Sequence, residues 1–232
     1  MNYAILAAGE GSRLAAGGIN TPKPLVELNG IPLIERLIDI FVRNGASSLS
    51  IIVNPHNQAT IEFLQNKPFP IPLNLVIKST EGSMHSLNEL RSFLQDGDFC
   101  LTTVDTVFRE NEFAEYVAAF RNNSALDGLM AVTDFIDDEK PLYVEVDNQL
   151  KITDFCDLRQ SGSRYVSGGV YCLRPVVFQA LEQTMKSGMS RMRDFQRQLI
   201  SYQLNLQAFP FSKIVDIDHP DDIAVAEKFL FN

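Results

Sequence analysis

Short apolar runs alternate with stretches of helical spacing through the first half of the chain. Tyr3–Leu6, Leu49–Val53, Leu73–Ile77 and Phe99–Val104 read as buried strands. Between them, Ile34–Asn44, Ala59–Gln65 and Ser86–Gln95 space their apolar residues as helices do, and Asn44-Gly45 supplies a C-terminal stop for the first. A β-α-β-α alternation of this kind predicts an α/β protein of three layers, α/β/α, around a predominantly parallel central sheet. Ligands of such sheets bind outside the carboxyl ends of the strands, so the residues just after each strand are the first candidates for chemistry.

After about residue 127 the rhythm changes. Gly128–Val132, Leu142–Val146, Leu150–Phe155 and Gly168–Leu173 are β-type segments separated by short turns, which predicts a small antiparallel or mixed extension. Val176–Met185, Met192–Tyr202 and Asp221–Phe229 then read as helices. No internal repeat, low-complexity tract or Gly/Pro/Ser-rich linker interrupts the chain, and Lys67–Pro72 reads as a short extended loop. One domain over 1–232 is expected, built of two halves of about 1–125 and 126–232 that differ in this rhythm.

Composition narrows the classes without choosing among them. At 232 residues, 45% hydrophobic and 21% charged, the chain has the make-up of a soluble globular protein. Its net charge of -9 repels nucleic-acid backbones, so no polynucleotide partner is expected. No run approaches the roughly 18 apolar residues of a membrane span, and no basic segment precedes the first apolar stretch, so neither a membrane partner nor a signal peptide is expected. Cys100, Cys156 and Cys172 lack a C-x-x-C spacing and read as free, buried thiols, which suits a cytoplasmic protein.

The strand ending at Leu6 runs into Ala7-Ala8-Gly9-Glu10-Gly11-Ser12-Arg13-Leu14. Glycines and small residues directly after a buried strand let backbone N–H groups approach phosphate oxygens closely. Arg13 adds a fork of donors suited to phosphate. Ten positions later, Thr21-Pro22-Lys23-Pro24-Leu25 presents a lysine between two prolines, each of which stiffens the backbone around it. The segment is neither a P-loop nor a dinucleotide-binding fingerprint.

These residues resemble the signature of the sugar-phosphate nucleotidylyltransferases and their phosphocholine cytidylyltransferase relatives. The Arg13-to-Lys23 gap matches that branch. The resemblance implies a Rossmann-like nucleotidyltransferase fold. It also implies transfer of NMP from an NTP to a small phosphorylated acceptor, a sugar 1-phosphate or an amino-alcohol phosphate, with release of pyrophosphate. Arg13 and Lys23 would stabilise charge on the transferring phosphates. Leu6, Ala8, Gly9, Gly11 and Ser12 would hold the nucleotide. Thr80-Glu81-Gly82-Ser83 looks like the family's loop beside the base, which brings in Gly82 and Ser83.

Asp105 follows the strand Phe99–Val104, where the family places a metal carboxylate; Val104 stands where the family has glycine, while Phe108 fits. As a residue type alone, an Asp after a strand can equally be a helix cap. The second carboxylate is expected from Ile214-Val215-Asp216-Ile217-Asp218-His219-Pro220-Asp221-Asp222, with Asp218 preferred and Asp216 close behind. Both alternate onto one face and would share one Mg²⁺. Asp221 and Asp222 are expected in the first turn of the last helix. An anionic acceptor needs no general base, so His56, His85 and His219 are given no catalytic role, and their spacing does not suit zinc.

Ser167-Gly168-Gly169-Val170-Tyr171 looks like the strand lining the family's acceptor pocket, which makes Gly168 and Gly169 acceptor candidates. The Glu-Lys-Pro motif usual in hexose-phosphate members is replaced by Thr153-Asp154-Phe155-Cys156-Asp157, without a lysine, and Arg159, Arg164 or Arg174 could supply a cation instead. Two alternatives stand beside the enzyme: a non-catalytic regulatory protein of the same fold, and a GT-A glycosyltransferase. The second wants an Asp-x-Asp where this chain has Asp105-Thr106-Val107.

Overall fold

A computed structural model describes residues 1–136 and 139–231. The chain order is β1 (Asn2–Ala7), α1 (Ser12–Ala16), a single 3₁₀ turn (Lys23–Leu25), the hairpin β2 (Glu27–Leu28) and β3 (Ile31–Pro32), α2 (Leu33–Arg43), β4 (Ser48–Val53), α3 (Gln58–Asn66) and β5 (Leu73–Ile77). It continues with α4 (Ser83–Leu94), β6 (Phe99–Thr103), β7 (Thr106–Val107), α5 (Glu110–Asn122), β8 (Gly128–Thr133), β9 (Tyr143–Val146), β10 (Ile152–Cys156) and β11 (Tyr165–Leu173). The last elements are α6 (Val177–Lys186), α7 (Met192–Ser201), β12 (Leu206–Phe211), β13 (Val215–Asp216) and α8 (Pro220–Phe231).

Nine strands form one sheet that runs through both halves of the chain. β5, β4, β1 and β6 are parallel neighbours in that order, as the alternating pattern predicts. β11 is antiparallel to β6 and to β8, and β12 closes that edge parallel to β8. β9 pairs with the start of β11 and carries β10 antiparallel on its far side. The expected extension is therefore woven into the main sheet through one reversed strand.

Two apolar layers cover the sheet. On one face Tyr3, Ile5, Leu49 and Ile51 pack against Phe41 of α2 and Phe113 and Phe120 of α5. On the other, Ala4, Ile52, Phe99 and Leu101 meet Leu87 and Leu90 of α4 and Phe178 and Leu181 of α6. Period-two alternation along strands covered on both faces produces this split, because successive side chains point to opposite sides. Cys100 and Cys172 face each other across β6 and β11 and are buried, as expected. Cys156 departs from expectation: it ends the outer strand β10, where no further strand covers it, and is only half-buried.

A third, smaller cluster matters most for the site. Leu14 of α1, Val26 and Leu28 after the 3₁₀ turn, Val107 of β7, and Val215 and Ile217 pack together with Ala226 and Phe229 of α8. It ties the first thirty residues to the last twenty. No helix among the described residues is long and apolar enough to cross a membrane.

Candidate active site

The loop after β1 is shaped by two constraints. Gly11 adopts φ 63° as it caps α1, and a Cβ there would lie 3.2 Å from Cβ of Lys23. Left-handed backbone and close approach together require glycine. The loop thus lies directly against the Pro22-Lys23-Pro24 segment, whose 3₁₀ turn is held by Leu25 and Val26 N–H groups donating to the Pro22 and Lys23 carbonyls. Pro24 is buried, which fixes the direction in which Lys23 projects.

Lys23 Nζ donates to Asp105 Oδ2 through a very short contact and to Asp218 Oδ1 at 2.8 Å. Arg13 Nη1 donates to the other oxygen of Asp218 at 2.6 Å. Four of the predicted residues, from opposite ends of the chain, therefore form one chain of alternating charge. The Lys23 side chain is 11% exposed, so this is not a solvated surface pair. Burial works against its ammonium, but Asp105 and Asp218 outweigh that and hold its pKa above the ordinary lysine value. Burial likewise opposes the Asp218 carboxylate, while Lys23 and Arg13 more than compensate and hold its pKa below the usual range.

The third cluster explains how the two aspartates meet. β7 pairs with β13 so that Thr106 opposes Asp216, and Ile217 N–H donates to the Asp105 carbonyl at 3.1 Å. Asp105 is followed by a strand, not a helix, so it caps nothing. Asp222 does serve the last helix: its carboxylate accepts the N–H groups of Asp218 and His219. That cap fixes the turn on which Asp218 stands.

On the β1 side of this constellation lies a cavity of about 460 Å³, within the range of small-molecule sites. Its lining includes Leu6, Ala8, Gly9, Gly11, Lys23, Gly82, Ser83 and Asp105. Ser12 lies instead at the solvent-facing start of α1 and does not line it. Gly82 is fully extended, and its small size leaves room for the Ser190 carbonyl, 3.0 Å from where a Cβ would stand. Asn54, His56, Ser79 and Thr103 also line it, and no motif in the sequence marks them. Most follow, or end, strands β4, β5 and β6, so the carboxyl-end rule is the signal that could find them.

Asp216 lines two smaller clefts, the second of which shares Leu6, Ser83 and Thr103 with the cavity. One also contains Arg13, Phe135, Glu139, Gly168, Asp218 and Asp222. The other contains Gly169, Tyr171, Arg191, Arg193 and Gln196. Enclosure by the protein and the nearby Asp105 carboxylate push the Asp216 carboxyl up to about 7. Its side chain still meets solvent through the clefts, so the crowding of carboxylates is the firmer of the two causes. Gly168 and Gly169 sit where the pairing of β11 with β8 shifts register, and Gly169 has φ 72°. A Cβ on Gly169 would lie 3.2 Å from Thr106 Oγ1.

Of the arginines considered for the acceptor side, Arg174 is committed elsewhere, to Asp98 and to the carbonyls of Leu126 and Asn123. Arg164 is paired with Asp134, and Arg159 lines a separate groove beside Asp157. Arg191 and Arg193, at the start of α7, reach the cleft instead.

Among the described residues, no group of three or more His, Cys, Asp and Glu side chains is spaced to hold a metal unaided. Asp105 and Asp218 nevertheless share one cation already, the Lys23 ammonium. Two carboxylates suit Mg²⁺ when phosphate oxygens and water fill its remaining positions.

A family profile described as "Nucleotidyl transferase" matches residues 3–232. The bifunctional protein GlmU of Methanococcus maripaludis strain C5 is 23% identical over 240 residues, covering 100% of this chain and 55% of the relative. The chain thus spans about half the length of the GlmU relatives it matches. The UTP–glucose-1-phosphate uridylyltransferase AglF of Haloferax volcanii is 27% identical, covering 99% of this chain and 96% of its own. The inositol-1-phosphate CTP transferase from T. maritima has the same fold, with a TM-score of 0.81 at 18% identity over 99% of this chain and 97% of that one. The chain belongs to the nucleotidyl transferase family.

Proposed function

We propose that this member of the nucleotidyl transferase family moves NMP from an NTP onto a small phosphorylated acceptor and releases pyrophosphate in a Mg²⁺-dependent reaction. The carrying observation is the joining of Arg13, Lys23, Asp105 and Asp218, with Lys23 and Asp105 lining the cavity behind β1 and Arg13 and Asp218 lining the neighbouring cleft. The 460 Å³ cavity takes the base and ribose, with Gly9 and Gly11 backbone toward the phosphates and Gly82 and Ser83 toward the base. Asp105 and Asp218, with Asp216 as a further candidate, would hold the metal, which supplies charge neutralisation at the phosphates when bound. Arg13 and Lys23 turn toward the triphosphate and stabilise the negative charge that gathers on the departing pyrophosphate.

The acceptor enters from the β11 side, past Gly168 and Gly169. An anionic phosphate oxygen attacks the α-phosphorus directly, so the protein's task is alignment and charge stabilisation. Relatives act on glucose 1-phosphate and inositol 1-phosphate with different nucleotides, so neither base nor acceptor follows from family membership. The cleft holding Glu139, Asp216, Asp218 and Asp222 against Arg13 and His219 has an excess of carboxylate, with Phe135 beside it. That lining favours an acceptor whose alcohol part carries an ammonium group, an amino-alcohol phosphate, over one whose alcohol part is an uncharged hexose. Both halves are read as a single functional domain in the cytoplasm. Pyrophosphate release measured with Mg²⁺, each NTP in turn and a panel of both acceptor kinds tests the reading. Release with one amine-bearing acceptor supports it; NTP binding without release across the panel favours a non-catalytic role.

A further inference from the structure

Lys23 contacts the same carboxylate atoms a divalent cation would use. Its ammonium donates to Asp105 Oδ2 and to Asp218 Oδ1, while Arg13 takes Asp218 Oδ2. Mg²⁺ binds oxygens at about 2.0–2.1 Å. An ammonium within hydrogen-bonding distance of both oxygens and a metal on those oxygens exclude each other, by volume and by charge. The lysine is also poorly free to leave. It is 11% exposed, rooted between Pro22 and Pro24, and packed at Cβ against Gly11. A buried ammonium without a partner is costly, so Lys23 leaves the carboxylates only when another anion takes it up.

We propose that Lys23 is a built-in counter-cation: in the nucleotide-free protein it occupies the Asp105–Asp218 pair, and a divalent cation binds there only once a triphosphate draws the ammonium away. This rests on the functional reading above and adds an order to it. Metal without nucleotide meets a site that is already neutralised, whereas metal with triphosphate exchanges partners: cation for lysine on the carboxylates, phosphate for carboxylate on the lysine. The coupling between the two ligands is then a property of the protein, over and above the affinity of the metal for free NTP.

The test is Mn²⁺ titration of the full chain without nucleotide, followed by paramagnetic resonance of free Mn²⁺. Lys23→Gln should bind Mn²⁺ about tenfold or more tighter than the wild type, because a unit positive charge beside the ion has been removed. Lys23→Arg keeps the charge and should stay close to wild type. Adding Asp105→Asn to Lys23→Gln should abolish the gain. Equal or weaker binding by Lys23→Gln, or a gain that survives Asp105→Asn, overturns the proposal. If Lys23→Gln does not fold, Lys23→Met provides the same comparison. Wild-type pyrophosphate release separates the two ideas: turnover without a Mn²⁺ gain in Lys23→Gln removes the counter-cation alone. No turnover with the gain intact removes the enzyme and leaves the counter-cation.

Discussion

The two sides of the central cleft are built on opposite plans. The β1 side lies at the carboxyl ends of parallel strands β1, β4, β5 and β6, and its residues follow those strands within a few positions. The β11 side hangs on a single reversed strand with a register shift at Gly168–Gly169. Its walls add the ends of β8, β11, α7 and β13, segments far apart in sequence, to residues of β1 and β6 such as Leu6 and Thr103. Under the proposed reaction, a fixed donor side beside an acceptor side assembled from scattered segments would let acceptor choice change without disturbing the residues that meet the triphosphate.

Lys23→Ala and Asp105→Ala should break the donor side most severely. Each should lower turnover by about 10²–10³-fold or more while the melting transition persists. Near-normal kcat in either variant would take that residue out of the mechanism.

Gly169→Ala strikes the reversed strand. Its φ of 72° and the nearby Thr106 hydroxyl predict a loss of about 1–2 kcal/mol in urea unfolding. Unchanged stability would mean that the register shift adapts to a side chain. Arg191→Ala should act on the acceptor side only. Arg191 is exposed and pairs with Asp194 of its own helix turn, so it can be redirected toward a phosphate at little cost. A rise of about tenfold in acceptor KM with NTP KM unchanged is expected; a matching rise in NTP KM would erase the division between the sides.

The smallest effect concerns Asp216, between the two clefts. Its carboxyl is pushed up to about 7 in the folded protein, so the native state holds a proton that the unfolded chain releases near the ordinary value of 3.8. Stability from this group is full below the unfolded value and falls as pH rises toward 7. Asp216→Asn should therefore stabilise the nucleotide-free protein at pH 8 and not at pH 4. The gain should be only about 1 kcal/mol, because solvent in the clefts screens the charge. Equal unfolding midpoints at pH 8 would show that the crowding is relieved by other means.

The same division decides how much the amino-acid sequence reveals. Strands β1, β4, β5 and β6 announce themselves as apolar runs, and the β1 loop with Lys23 lies within two dozen residues, so Leu6, Ala8, Gly9, Gly11 and Lys23, which line the β1 cavity, stand close together in a short segment that the sequence exposes. Asp218 is legible too, as part of a short motif. β12 is not: Pro210 argues against a strand, and it is accommodated because β12 pairs with β8 on one side while the bridge on its other side, Lys151 to Gln207, lies short of Pro210. Helix α5 lies outside the segments expected to be helical, although Phe113, Tyr116, Val117 and Phe120 carry helical spacing. Arg191 and Gln196 are illegible as site residues because only the packing of α7 against the sheet brings them to Gly169. Gln196, 2% exposed, donates to Ser167 Oγ at 3.0 Å, a link no local pattern encodes.

In the proposed reaction the nucleotidyl group, carrying the α-phosphorus, crosses from the donor side to the acceptor side. Following the label from α-³²P and γ-³²P NTP, with Mg²⁺ and an amine-bearing phosphate ester, tests it most directly. The α label should appear in a new nucleoside diphosphate ester while the γ label leaves as pyrophosphate. An α label that stays entirely with unreacted nucleotide, or a γ label found on the acceptor, would contradict it.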